Sequence, residues 1–281
     1  MSAEFDLDAY LGRIGYTGVR APTLDVLKAI HYAQALKVPF ENLTVLAKSP
    51  PKLDAASLHS KIIDGGQGGY CFEVNALLAS ALDALGFEVT RLMGRVRWKT
   101  PEDVATGRTH MLLHVALPEG PYLADAGFGG ITMTGPIPFK TDAVLETPHE
   151  PRRLLSVGGA VDTYELQAKL GDTWAPVYQF SMEAQAAADY ELSNWYTATH
   201  PSSIFVQFLI AARPEADRRV TLFNTELTIR GRDGVAQVTQ LTTVDEIAAA
   251  LAEHFDLHLS AAERDAILAP HLDGWRALSA N

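Results

Sequence analysis

The chain contains a single cysteine, Cys71. That scarcity excludes an internal disulfide framework and fits a reducing compartment, with the cytosol as the default. Positive charge is also scarce: 23 Lys and Arg stand against 34 Asp and Glu, a net charge of −11. Binding phosphate backbones needs a broad basic footprint, so a nucleic-acid surface is not expected. A small anionic ligand held by a local cluster is not excluded. No apolar run approaches the ~18 residues of a membrane span. Met1 to Leu11 is acidic and amphipathic and lacks the basic and apolar regions of a signal peptide. Repeats and low-complexity tracts are absent. What is present is an ordinary globular balance, 47% hydrophobic and 20% charged over 281 residues. That length suffices for a well-buried core and two or three compact units.

The first third carries helical periodicity. Asp6 to Ile14 places Leu7, Tyr10, Leu11 and Ile14 at helical spacing, and a second helix starts after Pro22 with Thr23 as its cap. A third is expected over Asp54 to Ile63. A fourth runs from about Phe72 to Leu85, with Gly86 as its C-terminal stop. From Phe87 the period changes to two. Phe87 to Thr100 sets Leu92, Val96 and Trp98 on one face and Arg91, Arg95, Arg97 and Lys99 on the other. Met111 to Leu117, a Pro-Glu-Gly-Pro turn and Tyr122 to Ala124 read as a hairpin. Further strands are expected at Tyr164 to Leu170, Trp174 to Phe180 and Leu222 to Arg230. Thr243 with Glu246, and Ser260 with Glu263, are capping boxes that open late helices. Helices followed by antiparallel strands and then a mixed segment make an α+β organisation, not a doubly wound sheet.

Cys71 follows Gly65-Gly66-Gln67-Gly68-Gly69-Tyr70 and opens a helix. The glycines let the backbone approach closely, and the positive helix end favours a thiolate. A lone cysteine is more often a buried structural thiol, but that role requires no glycine-rich elbow. A nucleophile also needs a base and a group to orient it. Thr109-His110-Met111-Leu112-Leu113-His114 and Leu123-Ala124-Asp125-Ala126-Gly127 supply candidates. In a hairpin with an even loop, paired positions have an odd sum, so Asp125 faces an even-numbered residue, Leu112 or His114. Parity supports an Asp–His pair and leaves His110 and His114 both open. The other seven histidines, His31, His59 and His200 among them, read as surface or packing residues. The Asp125 to Gly130 segment is a candidate pyrophosphate nest. The basic strand face of Arg91, Arg95, Arg97 and Lys99, with Arg108 beyond it, reads first as a solvated face and, next to that loop, as a group that could neutralise phosphates.

Gly68-Gly69-Tyr70-Cys71-Phe72-Glu73-Val74-Asn75 resembles the active-cysteine motif of arylamine N-acetyltransferases. Val38 to Leu43, Thr106 to His110, Asp125 to Gly130 and Asn194 to Phe205 resemble that family's other landmarks, in order. The resemblance implies a helical domain over 1–86, an antiparallel β-barrel over 87–188 and an α/β lid over 189–281, around a papain- or transglutaminase-like core. It implies Cys71 as nucleophile, His110 as base and Asp125 as its orienter, and so resolves the choice of histidine. Thr106, Gly107, Gly127 and Gly129 fall where some members contact CoA, and Phe40, Phe128 and Phe205 where aromatics surround the acceptor. Acetyl-CoA as donor, no metal and an arylamine or hydrazine acceptor follow from the same resemblance. The oligomeric state stays open. Rival readings are a relative using another acyl donor or forming an amide, a cysteine protease or transglutaminase-like enzyme, and a ligand-binding protein without activity. One departure stands out: the family's arginine four residues before the cysteine is Gln67 here. Gln67 is expected to hydrogen-bond Glu41 directly or through water, with another basic group helping; the alternative is an exposed Gln67, with Glu41 satisfied by backbone amides alone.

Overall fold

The computed structural model describes residues 5–279. The first four residues of the amphipathic start expected over Met1 to Leu11 therefore lie outside the described part. Helix α1 (Leu7–Ile14) is capped by Asp6, whose side chain accepts from the Ala9 amide at 2.9 Å, and it ends at Gly15 with φ +70. Helix α2 (Leu24–Lys37) buries Val26, Leu27 and Ile30, and with them the polar His31 and Gln34. Strand β1 (Phe40–Glu41) and the single turn α3 (Leu43–Leu46) follow. The helix expected over 54–63 is α4 (Ala55–Leu58) continued by a wider π-type turn, His59–Asp64. Helix α5 (Cys71–Ala84) forms the centre of the first core: Phe72, Val74, Leu77, Leu78, Ala81 and Leu82 are all sealed from solvent. Gly86, at φ +86, turns the chain out of it.

Seven antiparallel strands come next: β2 (Glu88–Val96), β3 (Arg108–Ala116), β4 (Tyr122–Ala124), β5 (Ile137–Pro138), β6 (Arg152–Ser156), β7 (Tyr164–Leu170) and β8 (Thr173–Phe180). Their order is β5-β4-β3-β2-β8-β7-β6, and bridges from Thr141 to Leu154 and from Leu145 to Arg152 bring the two ends together into a nearly closed barrel. Leu92, Leu112, Leu123, Ile137, Leu154 and Leu166 fill its interior, while Met111, Leu113 and Val115 on the other face of β3 belong to the helical core around α5. The alternation expected from Phe87 to Thr100 does not run through. The register shifts between Gly94 and Arg95, and Arg97 turns inward to donate to the carbonyls of Val104 (2.6 Å), Pro101 (2.8 Å) and Glu102 (3.0 Å). Arg97 thus pins the loop after β2 and is no part of a solvated face.

The last third holds α6 (Ala187–Thr199), the one-turn α7 (Ile204–Gln207), β9 (Ile210–Pro214), β10 (Arg218–Phe223), β11 (Glu226–Gly231), β12 (Ala236–Gln240) and α8 (Val244–Phe255). Where the sequence suggests one strand over Leu222 to Arg230 there are two, reversed at Asn224, which adopts φ +54. Asparagine tolerates that left-handed turn without glycine. Both capping boxes form, but the second opens only the single turn Ala261–Glu263 before another π-type turn. The second sheet runs β1-β9-β10-β11-β12, so a strand from the helical third completes the sheet of the last third. Ile247, Leu251 and Phe255 of α8 share one core with Ala211 of β9 and with Val220 and Leu222 of β10. The architecture is α+β, with a barrel-like antiparallel sheet set between two helix-bearing parts.

Candidate active site

The elbow before Cys71 is glycine-rich because neighbours press on it. A Cβ at Gly68 would run into the Pro39 carbonyl, and one at Gly69 would lie 2.7 Å from the Glu73 carboxylate. The Gly69 amide bonds the Pro39 carbonyl (3.2 Å) and the Glu41 amide bonds the Gly69 carbonyl (3.1 Å). Glu73 accepts from the Tyr70 amide at 3.1 Å and so closes the helix start on which Cys71 sits. Two carboxylates, Glu41 and Glu73, are buried here at 1% exposure each. Lys61, from the π-type turn, reaches both, at 3.0 Å and 2.7 Å. The Leu43 amide gives Glu41 a further donor at 2.6 Å. Gln67 is exposed and contributes only backbone groups, so its expected side-chain bond to Glu41 is not made. The basic group is Lys61, which with the Leu43 amide satisfies Glu41. Burial lowers the affinity of Lys61 for its proton, but the two carboxylates outweigh this and raise its pKa. Burial pushes Glu73 up to about 7, against the pull of Lys61.

The parity argument holds. Leu113 pairs with Ala124 and His114 with Leu123, which extends to Asp125 opposite Leu112 and leaves one histidine on each diagonal. The structure joins Asp125 to His110: Nε2 and Oδ2 are 2.8 Å apart, with both side chains buried. His114 is half-buried beside Phe139 instead. The Cys71 thiol points at the Thr109 carbonyl (3.5 Å), next to His110. Burial alone would lower the pKa of His110. The Asp125 charge, its hydrogen bond and the interactions with Cys71 outweigh burial and raise it to about 10. Burial likewise opposes ionisation of Asp125, yet His110, Asn75 and the Gly127 amide hold its pKa below the usual carboxylate range.

Four groups around this pair escaped the reading of the sequence. Asn75, one turn along α5 from Cys71, donates to Asp125 Oδ1 (2.8 Å) and accepts from the Ala126 amide (3.0 Å). His31 Nε2 accepts from the Asp125 amide at 3.0 Å, and burial drops its pKa to about 4. Thr132 Oγ1 donates to the Asp125 carbonyl (3.3 Å) and accepts from the Phe128 amide (3.1 Å). The Tyr178 ring lies 4.8 Å from that of His110. A signal for His31 was present: with Leu27, Ile30 and Gln34 it falls on the inward stripe of α2.

Phe128 meets His110 edge-on at 4.9 Å, while Phe40 and Phe205 pack together at 5.9 Å, with Tyr70 at 5.6 Å from Phe205. Gly127 and Gly129 are buried. The Gly127 amide is committed to Asp125 at 2.9 Å, and a Cβ there would press on Asn75 and on the backbone of Cys71. Gly129 takes φ +85 against the Phe40 ring. Thr106, by contrast, lines an open groove of about 800 Å³ with Arg95 and Arg97, and the adjoining Gly107 is exposed.

Four likenesses accompany this geometry. A family model described as N-acetyltransferase matches residues 23–264. The arylamine N-acetyltransferase of Mycolicibacterium smegmatis is 40% identical over 258 residues, covering 90% of this chain and 92% of that one. The solved structure of Mycobacterium marinum arylamine N-acetyltransferase superposes with a TM-score of 0.90 at 38% identity, covering 95% of this chain and 99% of that one. The same relative, solved in complex with CoA, gives 0.89 at 37% identity over 95% and 99% of the two chains.

Proposed function

Because the chain belongs to the arylamine N-acetyltransferase family, we propose that it works in two half-reactions through an acetylated Cys71, with His110 and Asp125 as its partners. It is an acetyltransferase that carries the acetyl group of acetyl-CoA to the nitrogen of arylamines. The observation that carries the residue assignment is the buried His110–Asp125 pair beside the thiol at the start of α5. A histidine whose pKa is raised to about 10 keeps its proton at neutral pH. That proton stabilises the Cys71 thiolate as an ion pair. The thiolate attacks the thioester carbonyl, a new carbon–sulfur bond forms, and CoA leaves as a thiol with the proton from His110. The amine then attacks the acetyl-cysteine, Cys71 departs as thiolate, and the amine's proton passes to His110. Aromatic amines, arylhydrazines and hydrazides suit the second step because they are unprotonated near neutral pH.

Phe40, Phe128 and Phe205 form the acceptor's walls, a lining suited to a flat ring. Thr106 and Gly107 meet CoA beside the groove that Arg95 and Arg97 line together with Glu102, Asp103 and Glu165, and Gly129 is assigned to CoA with them. Gly127, its amide engaged, serves by letting the chain pass Cys71 without a Cβ. We assign 1–86 to a helical domain, 87–188 to the barrel and 189–281 to a lid, with β1 reaching into the lid's sheet. Among the described residues no helix is long and apolar enough to cross a membrane, and the lone cysteine favours the cytoplasm. Intact mass after mixing with acetyl-CoA should show one added acetyl group, discharged by an arylamine. Cys71→Ala should show neither the adduct nor turnover; undiminished turnover in that variant overturns the mechanism.

A further inference from the structure

Asn42 directly follows β1 and is sealed from solvent at 1% exposure, although its side chain meets no reacting group. All its bonding capacity is spent on one distant segment. Nδ2 donates to the carbonyls of Phe205 (2.7 Å) and Phe208 (2.7 Å), and Oδ1 accepts from the Ile210 amide (2.8 Å). The segment needs such help. Helix α7 is one turn long, too short to satisfy the carbonyls at its own C-terminal end. Ile204 at its start is 53% exposed, so solvent lies on its outer side. On its inner side Phe205 packs against Phe40 and Tyr70.

We propose that Asn42 is the positioning residue of the acceptor site, holding Phe205 against Phe40 and so setting selectivity for flat aromatic amines. One amide thereby couples two aromatic walls that come from opposite ends of the chain. Aspartate cannot replace it, since a carboxylate accepts from Ile210 but donates to neither carbonyl. The proposal rests on the acceptor assignment of Phe40 and Phe205, and the two half-reactions separate it from a general structural role. Acetylation of Cys71 takes place before any acceptor amine binds, so it serves in each variant as an internal control for folding.

The test compares wild type with Asn42→Ala and Asn42→Asp in three assays: acetyl-enzyme formation from acetyl-CoA, then discharge by a ring-substituted aniline and by hydrazine, which is too small to span the walls. Acetyl-enzyme formation and discharge by hydrazine should stay within about twofold of wild type, the range of a substitution that leaves the reacting groups alone. Discharge by the aniline should fall about tenfold to a hundredfold, the loss expected of a positional error near 1 Å. An equal loss for both acceptors, no loss for either, or a loss already in acetyl-enzyme formation overturns the proposal. If Ala and Asp fail to fold, Asn42→Ser, which keeps one donor, replaces them under the same criteria. A wild-type protein that forms no acetyl-enzyme would bring down the underlying reading instead.

Discussion

Asp125 is fixed at every polar atom: its amide by His31, its carbonyl by Thr132, and its carboxylate by His110, Asn75 and the Gly127 amide. A carboxylate so held orients one histidine only. His110→Gln should therefore slow acetyl-enzyme formation by about 10²–10⁴. His114→Gln should change it by no more than about twofold. The reverse ranking in a rapid-quench assay would move the base to His114. His31 gives this site a pH limit of a different kind. Its pKa drops from 6.5 to about 4 on folding, so between those values the unfolded chain binds the extra proton. Its contribution is thus present above 6.5 and lost as pH falls through about 4, on the order of 3 kcal/mol in all. His31→Asn should flatten stability in urea across that window relative to wild type. An unchanged slope would mean that His31 does not titrate as its burial demands.

At the level of elements, the clearest case is the turn that carries Lys61. Lys61→Met strands two buried carboxylates and should cost about 3–5 kcal/mol in urea melts at pH 7. The deficit should shrink as the pH is lowered, because burial favours the protonated form of Glu73 and its protonation removes the repulsion between the two side chains. Gln67→Leu, at an exposed side chain, should stay within about 0.5 kcal/mol of wild type. The reverse ranking would restore Gln67 as the partner of Glu41. The sequence could not disclose Lys61, because a π-type turn changes which residues share a helix face. Local rules succeeded at two places: Thr243 and Glu246 cap as their spacing says, and the parity of a short hairpin placed Asp125 beside the histidine row. They failed at Asn224, a turn without glycine, and at β1, whose partner Ala212 is far along the chain. The proposed triad of Cys71, His110 and Asp125 comes from the family motif. Asn75, Thr132 and Tyr178, which build its environment, become visible only when the barrel is closed around α5.

The two sheets meet through charges as well as through apolar cores, and the junction is lopsided. Glu150, just before β6, receives a two-pronged bond from Arg219 of β10 at 2.6 Å for each prong. The same carboxylate lies 3.4 Å from the fully buried Arg152. Both guanidiniums also donate to the loop that follows Gly127 to Gly130: Arg152 to the Ile131 carbonyl at 2.7 Å, Arg219 to the Thr132 carbonyl at 2.8 Å. One carboxylate therefore balances two cations. Burial, and then the charge of Arg219, drop the pKa of Arg152 to about 10 against the pull of Glu150. Removing either partner should therefore have unequal effects. Glu150→Gln leaves two buried like charges facing each other and should cost about 3–5 kcal/mol. Arg219→Met leaves Glu150 paired with Arg152 and removes their mutual repulsion, so it should cost only about 1–3 kcal/mol. In Glu150→Gln with Arg219→Met, the loss should be smaller than the sum of the two, since the second change relieves what the first creates. Urea unfolding at neutral pH reads all three, and high salt should alter the ranking little because the groups are largely shielded from solvent. A costlier Arg219→Met, or strict additivity, would show that Glu150 does not serve both arginines and that the sheets are joined by packing alone.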